Sequence, residues 1–275
     1  MKIAVLLTSF NRKEKTKECL QSLYKILSEL DVYLVDDNST DGTVLMIEEN
    51  FPQINIIRGN GNLFWNRGMH LAWEHASKRD YEYYIWLNDD TLLYENSFIE
   101  LFECSKTAKD NAIITGIIES EDKAQIIYGG TDSKKNLLLP NGTMQAVTNM
   151  NGNIVLIPKA VFNVLGNLDP VYHHDLGDVD YGLRAKENNI PVYSTRIAIG
   201  SGDKNNLCRI RLAKTTLRKR FEKLYSPLGN HPIINFYFRK KHFGVFNAIA
   251  YYVFLHIINL LPDIMVNKIF GSKYL

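Results

Sequence analysis

The first 90 residues alternate short apolar runs with longer segments of helical periodicity. The four apolar runs of strand length are residues 3–8, 32–35, 54–57 and 83–87. Between the first two, residues 13–30 carry apolar side chains at helical spacing. This alternation predicts βαβ units, and right-handed crossovers place their strands in one sheet. We therefore expect an α/β protein with a mostly parallel open sheet flanked by helices.

The fourth apolar run ends abruptly in Asn88-Asp89-Asp90. Neighbouring carboxylates repel each other, and burying either without a partner is costly. Mg²⁺ and Mn²⁺ bind oxygen ligands and often complete their coordination shells with phosphate oxygens. The tripeptide is therefore a candidate metal and phosphate site at the carboxyl end of a strand. The alternative is an ordinary turn, because Asn and Asp both favour turns.

Two further acidic groups are also candidates for ligand binding or catalysis. Asp36 and Asp37 end the second run, where their carboxylates could accept hydrogen bonds from a nucleobase or a ribose. The neighbouring polar residues could equally cap a helix. Asp178 falls in the first turn of a helix predicted for residues 178–188. An acid at this position can stabilise the helix dipole or act as a general base.

Taken in order, five segments resemble family 2 glycosyltransferases, the inverting class that uses nucleotide sugars and has the GT-A fold. The segments are Thr8-Ser9-Phe10-Asn11-Arg12, residues 35–43, residues 59–68, Leu87-Asn88-Asp89-Asp90-Thr91 and residues 177–184. The Gly-Asn-Leu-Phe-Trp sequence within residues 59–68 is most similar to bacterial rhamnosyltransferase-type members that build surface polysaccharide. The resemblance covers roughly the first 200 residues.

The resemblance implies roles for individual residues. The residues expected to bind the nucleotide sugar are Thr8, Phe10, Arg12, Asp36, Asp37, Asn62, Arg67, Asn88 and Asp89. Within this set either Asp37 or Asp36 contacts the base. Asp90 stands at the position that binds Mg²⁺ or Mn²⁺, and Asp178 stands at the position of the catalytic base.

Three positions depart from the pattern of the family. Asn88 stands where the metal motif often has its first Asp, and Gly177 stands where many members have Glu. His174 or Asp175 could compensate for the missing Glu. A later His often serves as a metal ligand in the family, whereas this sequence offers Asp203 there.

The implied activity is transfer of a sugar, from a dTDP- or UDP-sugar with rhamnose as one candidate, to a hydroxyl of a glycan or lipid-linked glycan acceptor. The alternative is a non-catalytic protein that binds nucleotide sugars or carbohydrates, which Asn88 and Gly177 favour. A nucleotidyltransferase usually carries a Gly-rich basic loop after its first strand, and residues 8–12 do not form one.

The charge of the chain is distributed unevenly. Residues 201–275 contain 13 Lys and Arg against 3 Asp and Glu, a net +10, and the rest of the chain has 19 against 27, a net −8. A basic tail predicts an anionic partner. Nucleic acid would explain the tail but not the acidic sheet edge, so we expect an anionic membrane surface instead. We expect a GT-A catalytic domain in residues 1–205 and a basic, apolar helical extension in residues 206–275.

Residues 243–261 carry no formal charge and approach the roughly 20 residues of a membrane span. Polar residues interrupt this stretch, which favours a helix lying on the membrane. The alternative is a helix that packs on the protein itself. Three well-separated cysteines and the lack of a signal peptide indicate a cytoplasmic protein, peripheral at the cytosolic membrane face. The sequence does not indicate an oligomeric state.

Overall fold

The computed structural model describes residues 1–203 and 209–274. Cys208, one of the three cysteines, lies outside this range, whereas Cys19 and Cys104 are free and buried. The described residues form two compact units. The first comprises residues 1–170 and 177–203, and the second comprises residues 171–176 and 209–274.

The first unit contains the sheet and the helices that flank it. The strands are β1 (Ile3–Ser9), β2 (Asp31–Asp36), β3 (Asn55–Arg58), β4 (Tyr83–Leu87), β5 (Leu92–Leu93), β6 (Ile113–Ser120), β7 (Ile126–Tyr128), β8 (Ile154–Pro158) and β9 (Val192–Gly202). The helices are α1 (Lys13–Ile26), α2 (Thr43–Asn50), α3 (Phe64–Ala76), α4 (Ser97–Thr107), α5 (Lys159–Leu165) and α6 (Gly177–Glu187).

The strands follow the order β3-β2-β1-β4-β8-β6-β9-β5, and β7 pairs with β6. The first four of these are mutually parallel, as the alternating pattern predicts. Beyond β4 the sheet is mixed, because β8 runs antiparallel to both β4 and β6, whereas β6 and β9 are parallel. The α/β class and the open sheet flanked by helices are confirmed.

Both faces of the sheet are covered by helices, and two hydrophobic clusters result. Along β1, Val5 and Leu7 belong to the cluster on one face, and Ala4 and Leu6 belong to the cluster on the other. Side chains alternate between the two faces of a strand, so a strand covered on both faces needs an unbroken apolar run. This explains the composition of residues 3–8 and 83–87.

One predicted helix is shorter than its periodicity indicates. The helix expected over residues 13–30 ends at Ile26, and Leu27 adopts an extended backbone. The chain must turn there because Asp31 pairs with Ala4 in the parallel sheet. The apolar Leu27 and Leu30 still contact the core, but as loop residues.

The second unit is helical. Its elements are α7 (Leu217–Leu224), α8 (Pro232–Phe243), α9 (Val245–Leu260), α10 (Asp263–Phe270) and a final 3₁₀ turn, Gly271–Tyr274. The helix α7 begins at Leu217, where Thr216 accepts a hydrogen bond from the Lys219 backbone and caps it. Within residues 1–203 and 209–274, none of the helices has both the length and the apolar character needed to span a membrane.

Candidate active site

The loops after β1, β2 and β4 meet at the carboxyl edge of the sheet. The Asn11 backbone donates to Ser39 Oγ at 2.9 Å, and Asn11 Oδ1 accepts from the Thr40 backbone at 2.7 Å. Ser9 pairs with Asp36 at the ends of β1 and β2. In an open α/β sheet this edge is where ligands bind.

Arg12 joins the first of these loops to the acidic turn after β4. Its Nη1 donates to Asp90 Oδ2 at 2.6 Å and to Asp89 Oδ1 at 3.3 Å. The two carboxylates raise the pKa of the Arg12 guanidinium, although burial acts in the opposite direction. The neighbouring carboxylates therefore share one fixed positive charge.

Asp89 and Asp90 differ in environment. The Asp89 side chain is 8 % exposed, whereas that of Asp90 is 20 % exposed. Burial raises the pKa of Asp89 to about 6, the Arg12 charge opposes this rise, and the Asp90 charge adds to it. Thr16 Oγ1 lies 3.4 Å from Asp89 Oδ2 and supplies a long hydrogen bond. Asp89 is thus an internal group, and Asp90 is the carboxylate that faces the loops.

The residues at this edge supply only some of the ligands that a divalent cation needs. Among the described residues, no group of three His, Cys, Asp or Glu side chains is placed to bind a metal ion. Asp90 nevertheless suits a single ligand position, because it is partly exposed and its contact is with Arg12, a side chain that is itself 48 % exposed. Mg²⁺ commonly uses one or two carboxylates and takes its other ligands from phosphate and water.

The carboxylates of Asp36 and Asp37 have different hydrogen-bond partners. Asp37 accepts from three backbone N–H groups, those of Gly61 at 2.7 Å, Leu63 at 2.8 Å and Phe64 at 3.1 Å. It therefore satisfies the start of α3. Asp36 accepts from the Ser39 backbone through Oδ2 at 3.1 Å, while its buried Oδ1 has no hydrogen-bond partner among the described residues.

The other residues expected to bind the nucleotide sugar surround this edge. Phe10 is 52 % exposed, so its ring is accessible to a ligand. Thr8 faces the helix α3 at Gly68. Asn62 is exposed in the loop before α3, and Arg67, on the first turns of α3, donates from Nε to the Pro170 carbonyl at 2.9 Å.

Trp65 links the acidic turn to Asp178. Its indole N–H donates to Asn88 Oδ1 at 2.7 Å. A Cβ on Gly152 would lie 2.5 Å from Trp65 Cη2 and 3.4 Å from Asp178 Cβ, so the indole ring lies against Gly152 beside Asp178. The Gly152 backbone in turn donates to Asp178 Oδ2 at 3.0 Å. The indole ring and Gly152 together therefore connect the acidic turn to the candidate base.

Comparison with known proteins identifies the family. Residues 4–163, more than half of the chain, match the profile of glycosyl transferase family 2. The chain belongs to this family. A search of curated protein sequences finds no match.

Solved glycosyltransferase structures share the fold. The mannosyltransferase PcManGT from Pyrobaculum calidifontis, in complex with GDP-Man and Mn²⁺, aligns with a TM-score of 0.57 at 13% identity over 97% of this chain and 78% of that one. Residues 1–349 of S. aureus TarS align with a TM-score of 0.56 at 13% identity over 99% of this chain and 76% of that one. Full TarS aligns with a TM-score of 0.58 at 13% identity over 99% of this chain and 46% of that one. At this identity the likeness establishes the GT-A fold.

The departures from the family 2 pattern have local structural partners. Gly177 lies against buried Asn66, since a Cβ there would sit 1.7 Å from Asn66 Oδ1. A Glu at position 177 would not fit beside Asn66. Asp175, one of the residues suggested to compensate, belongs to the second unit and pairs there with Arg209. Asp203, suggested as a substitute metal ligand, pairs with Lys15.

Sequence reasoning did not assign a role to Trp65 or Gly152. Trp65 falls within the motif of residues 59–68, but that motif does not predict its hydrogen bond to Asn88. A buried donor such as an indole N–H needs an acceptor, and Asn88 is a neutral acceptor where the family often has an acid. The pairing of a Trp in the third motif with an Asn in the fourth is the signal that could have found it.

Proposed function

We propose that this family 2 member transfers a sugar from a nucleotide-diphosphate sugar to a hydroxyl of a glycan or lipid-linked glycan, with inversion. The observation that carries the proposal is the contact chain from Arg12 through the acidic turn and Trp65 to Asp178. The residues proposed to bind the phosphates and the candidate base therefore lie in the same unit. The complex of PcManGT with GDP-Man and Mn²⁺ supports a donor of this class.

The donor lies over the carboxyl ends of β1, β2 and β4 in this proposal. Phe10 offers an exposed ring on which a base can stack. Asp36 rather than Asp37 contacts the base, because Asp37 keeps its three bonds to the backbone at the start of α3. The positive or donor groups of Arg12, Asn62 and Arg67 hold the diphosphate.

Asp90 would hold Mg²⁺ or Mn²⁺ against the diphosphate, with Asp89 behind it. When bound, the ion supplies a positive charge that offsets the charge of the leaving group. This requires the exposed Arg12 side chain to release Asp90, and its guanidinium is then available to a phosphate oxygen.

Asp178 takes the proton of the acceptor hydroxyl in the proposed reaction. The acceptor oxygen attacks the anomeric carbon, and the bond from that carbon to the diphosphate oxygen breaks on the opposite face. The nucleoside diphosphate leaves with the electron pair, and one displacement gives inversion. The Gly152 N–H and the start of α6 stabilise the Asp178 carboxylate before the transfer.

The sugar and the biological role are proposed from one sequence motif and from the charge of the second unit. The Asn62-to-Trp65 sequence favours a rhamnosyltransferase-type donor, either dTDP- or UDP-linked, and a role in surface polysaccharide synthesis. The basic second unit favours action at the cytosolic face of a membrane, where a lipid-linked acceptor would be found.

The test is release of nucleoside diphosphate from a panel of dTDP-, UDP- and GDP-sugars, with and without Mn²⁺ or Mg²⁺. We expect D178N to abolish turnover while donor affinity stays close to that of the wild type. D90N should weaken donor binding only when the metal is present. D132N is the control, because Asp132 is an acid bonded within its own exposed loop. Wild-type turnover in D178N would disprove the assignment of the base.

A second candidate function is a non-catalytic protein that binds nucleotide sugars. It is favoured by the bonds of Asp178, whose two carboxylate oxygens accept from the Gly152 and Val179 backbones. Such a protein would bind a donor in the same panel, and no variant or metal would yield turnover.

A further inference from the structure

A line of exposed apolar side chains runs along α9 in the second unit. The exposed fractions are 86 % for Phe246, 48 % for Ile249, 46 % for Val253, 50 % for Ile257 and 58 % for Leu260. Their spacing of three or four residues puts them on one face of the helix. We call these five residues the α9 stripe.

The α9 stripe is not needed for packing within the second unit. Ala248, Leu255 and Ile258 lie on the other side of α9 and are buried. A helix that is apolar on its buried side normally has polar residues on its solvent side. Here both sides are apolar, and an exposed continuous apolar face marks an interaction surface.

Basic residues flank the stripe along the chain. Lys240 and Lys241 are exposed at the end of α8, and Gly244 alone separates α8 from α9. No Asp or Glu occurs between Glu222 and Asp263. An apolar helix face with neighbouring lysines and no acids suits a surface that is apolar inside and anionic outside.

The stripe belongs to a helix of fixed orientation. Arg211 is 1 % exposed and donates to the Ile258 and Leu261 carbonyls at 3.0 and 2.9 Å. Arg220 also donates to the Leu261 carbonyl at 2.9 Å, and both guanidiniums bind Asp263. The carboxyl end of α9 is therefore held by buried charged groups, and the stripe does not need to fold on binding.

We infer that the α9 stripe inserts into the surface of an anionic lipid bilayer, with Lys240 and Lys241 at the lipid phosphates. The helix lies in the plane of the membrane, since α9 has 16 residues and a span needs about 20. A second copy of the chain is a poorer occupant, because residues 223–262 of that copy offer no Asp or Glu to pair with these lysines.

This inference rests on the proposed action at a membrane face, but its test contains no sugar donor. Full-length protein is floated with phosphatidylcholine vesicles, with or without phosphatidylglycerol. The stripe variant is F246S/I249S/V253S/I257S, and the charge variant is K240Q/K241Q. The matched control is L45S/I99S, which removes two apolar side chains that are 64 % and 62 % exposed on the first unit.

We expect the wild type and the control to float with anionic vesicles, and the stripe variant to lose binding by about tenfold or more. The charge variant should lose the dependence on phosphatidylglycerol and on low salt. Retained binding by the stripe variant, or no binding by the wild type, would overturn the inference. So would a wild-type dimer in lipid-free solution that the stripe variant converts to monomer, because the stripe would then bind a second copy.

A second measurement does not depend on multiple substitutions. The three tryptophans of the chain, Trp65, Trp73 and Trp86, all lie in the first unit. F246W adds one to the stripe, and I99W adds one to an exposed site of the first unit. Brominated lipids should quench the added emission of F246W and leave that of I99W unchanged. Equal quenching in both variants would contradict insertion of α9. Neither lipid measurement requires transferase activity, so a negative transferase assay would not change what they show.

Discussion

Adjacent carboxylates at the end of one strand can have separate roles because their oxygens meet different partners. We predict that D37N destabilises the fold by about 1–2 kcal/mol, since an amide cannot accept all three N–H groups at the start of α3. D36N should weaken nucleotide binding, because Asp36 is the acid proposed to contact the base, and should destabilise the fold less than D37N, because Asp36 accepts from one backbone N–H rather than three. Urea unfolding and titration calorimetry with UDP and dTDP measure the two effects. Wild-type nucleotide affinity in D36N would contradict this division.

Asp89 makes the stability of the fold depend on pH. Burial raises its pKa from 3.8 to about 6 in the folded protein, so between these values the folded state holds a proton that the unfolded state has lost. We predict that its contribution to stability is largest below pH 3.8, declines as pH rises to about 6 and is then constant. D89N lacks this titration. The unfolding free energy of the wild type should therefore fall relative to that of D89N as pH rises through this window. Urea unfolding of both proteins measures the difference. A difference that does not change with pH would contradict the raised pKa.

At the scale of elements, the close approach of α3 to β1 sets the position of the candidate phosphate-binding residues. A Cβ at Gly68 would lie 2.2 Å from Thr8 Oγ1 and 2.8 Å from Thr8 Cβ, and a strand residue cannot easily yield. We predict that G68A destabilises the fold by about 1–3 kcal/mol and weakens donor binding by moving Asn62 and Arg67. E74A, an exposed change on the same helix, is the control for urea unfolding. Equal stability of G68A and E74A would contradict the close contact.

The elements themselves could be predicted where local pattern decides them. The apolar runs of β1, β2 and β4 and the loops that follow them were visible in the sequence because both faces of these strands are buried. The end of α1 at Ile26 was not visible, since the pairing of Asp31 with Ala4 decides it. The antiparallel return through β8 likewise depends on contacts distant in sequence.

The candidate site follows the same rule. The types and order of the acidic residues indicate which loops are candidates for the chemistry, but not which oxygen of each acid is occupied. Three of these contacts are long-range and have no local sequence pattern. They are the cap of α3 by Asp37, the bond from Arg12 to Asp90 and the bond from Trp65 to Asn88. Which residues act remains a prediction that the variants above can test.

For the whole molecule, the division into two compact units predicts that each can open without the other. Each unit has its own described core, with Trp73 and Trp86 buried in the first and Leu255 and Val266 buried in the second. Proteins open in cooperative local units, and a change confined to one of them should act there alone. Donor chemistry is proposed for the first unit and membrane contact for the second, so the two activities should be separable by mutation.

Asp263 is the residue best suited to test this separation. It accepts from buried Arg211 at 2.5 Å and from Arg220 at 2.7 Å. The pKa of Asp263 lies below its usual value, chiefly because the Lys214 backbone donates to it, and the two guanidiniums lower the pKa further. We predict that D263N, which removes the charge opposite two guanidiniums, speeds amide exchange in α9 and α10 by about tenfold or more. Exchange in β1 and β4, and donor affinity, should stay as in the wild type. E222Q removes an exposed acid of the same unit and is the control. If the units open independently, D263N should not change exchange in the sheet. Faster exchange in both units would therefore show that they unfold together.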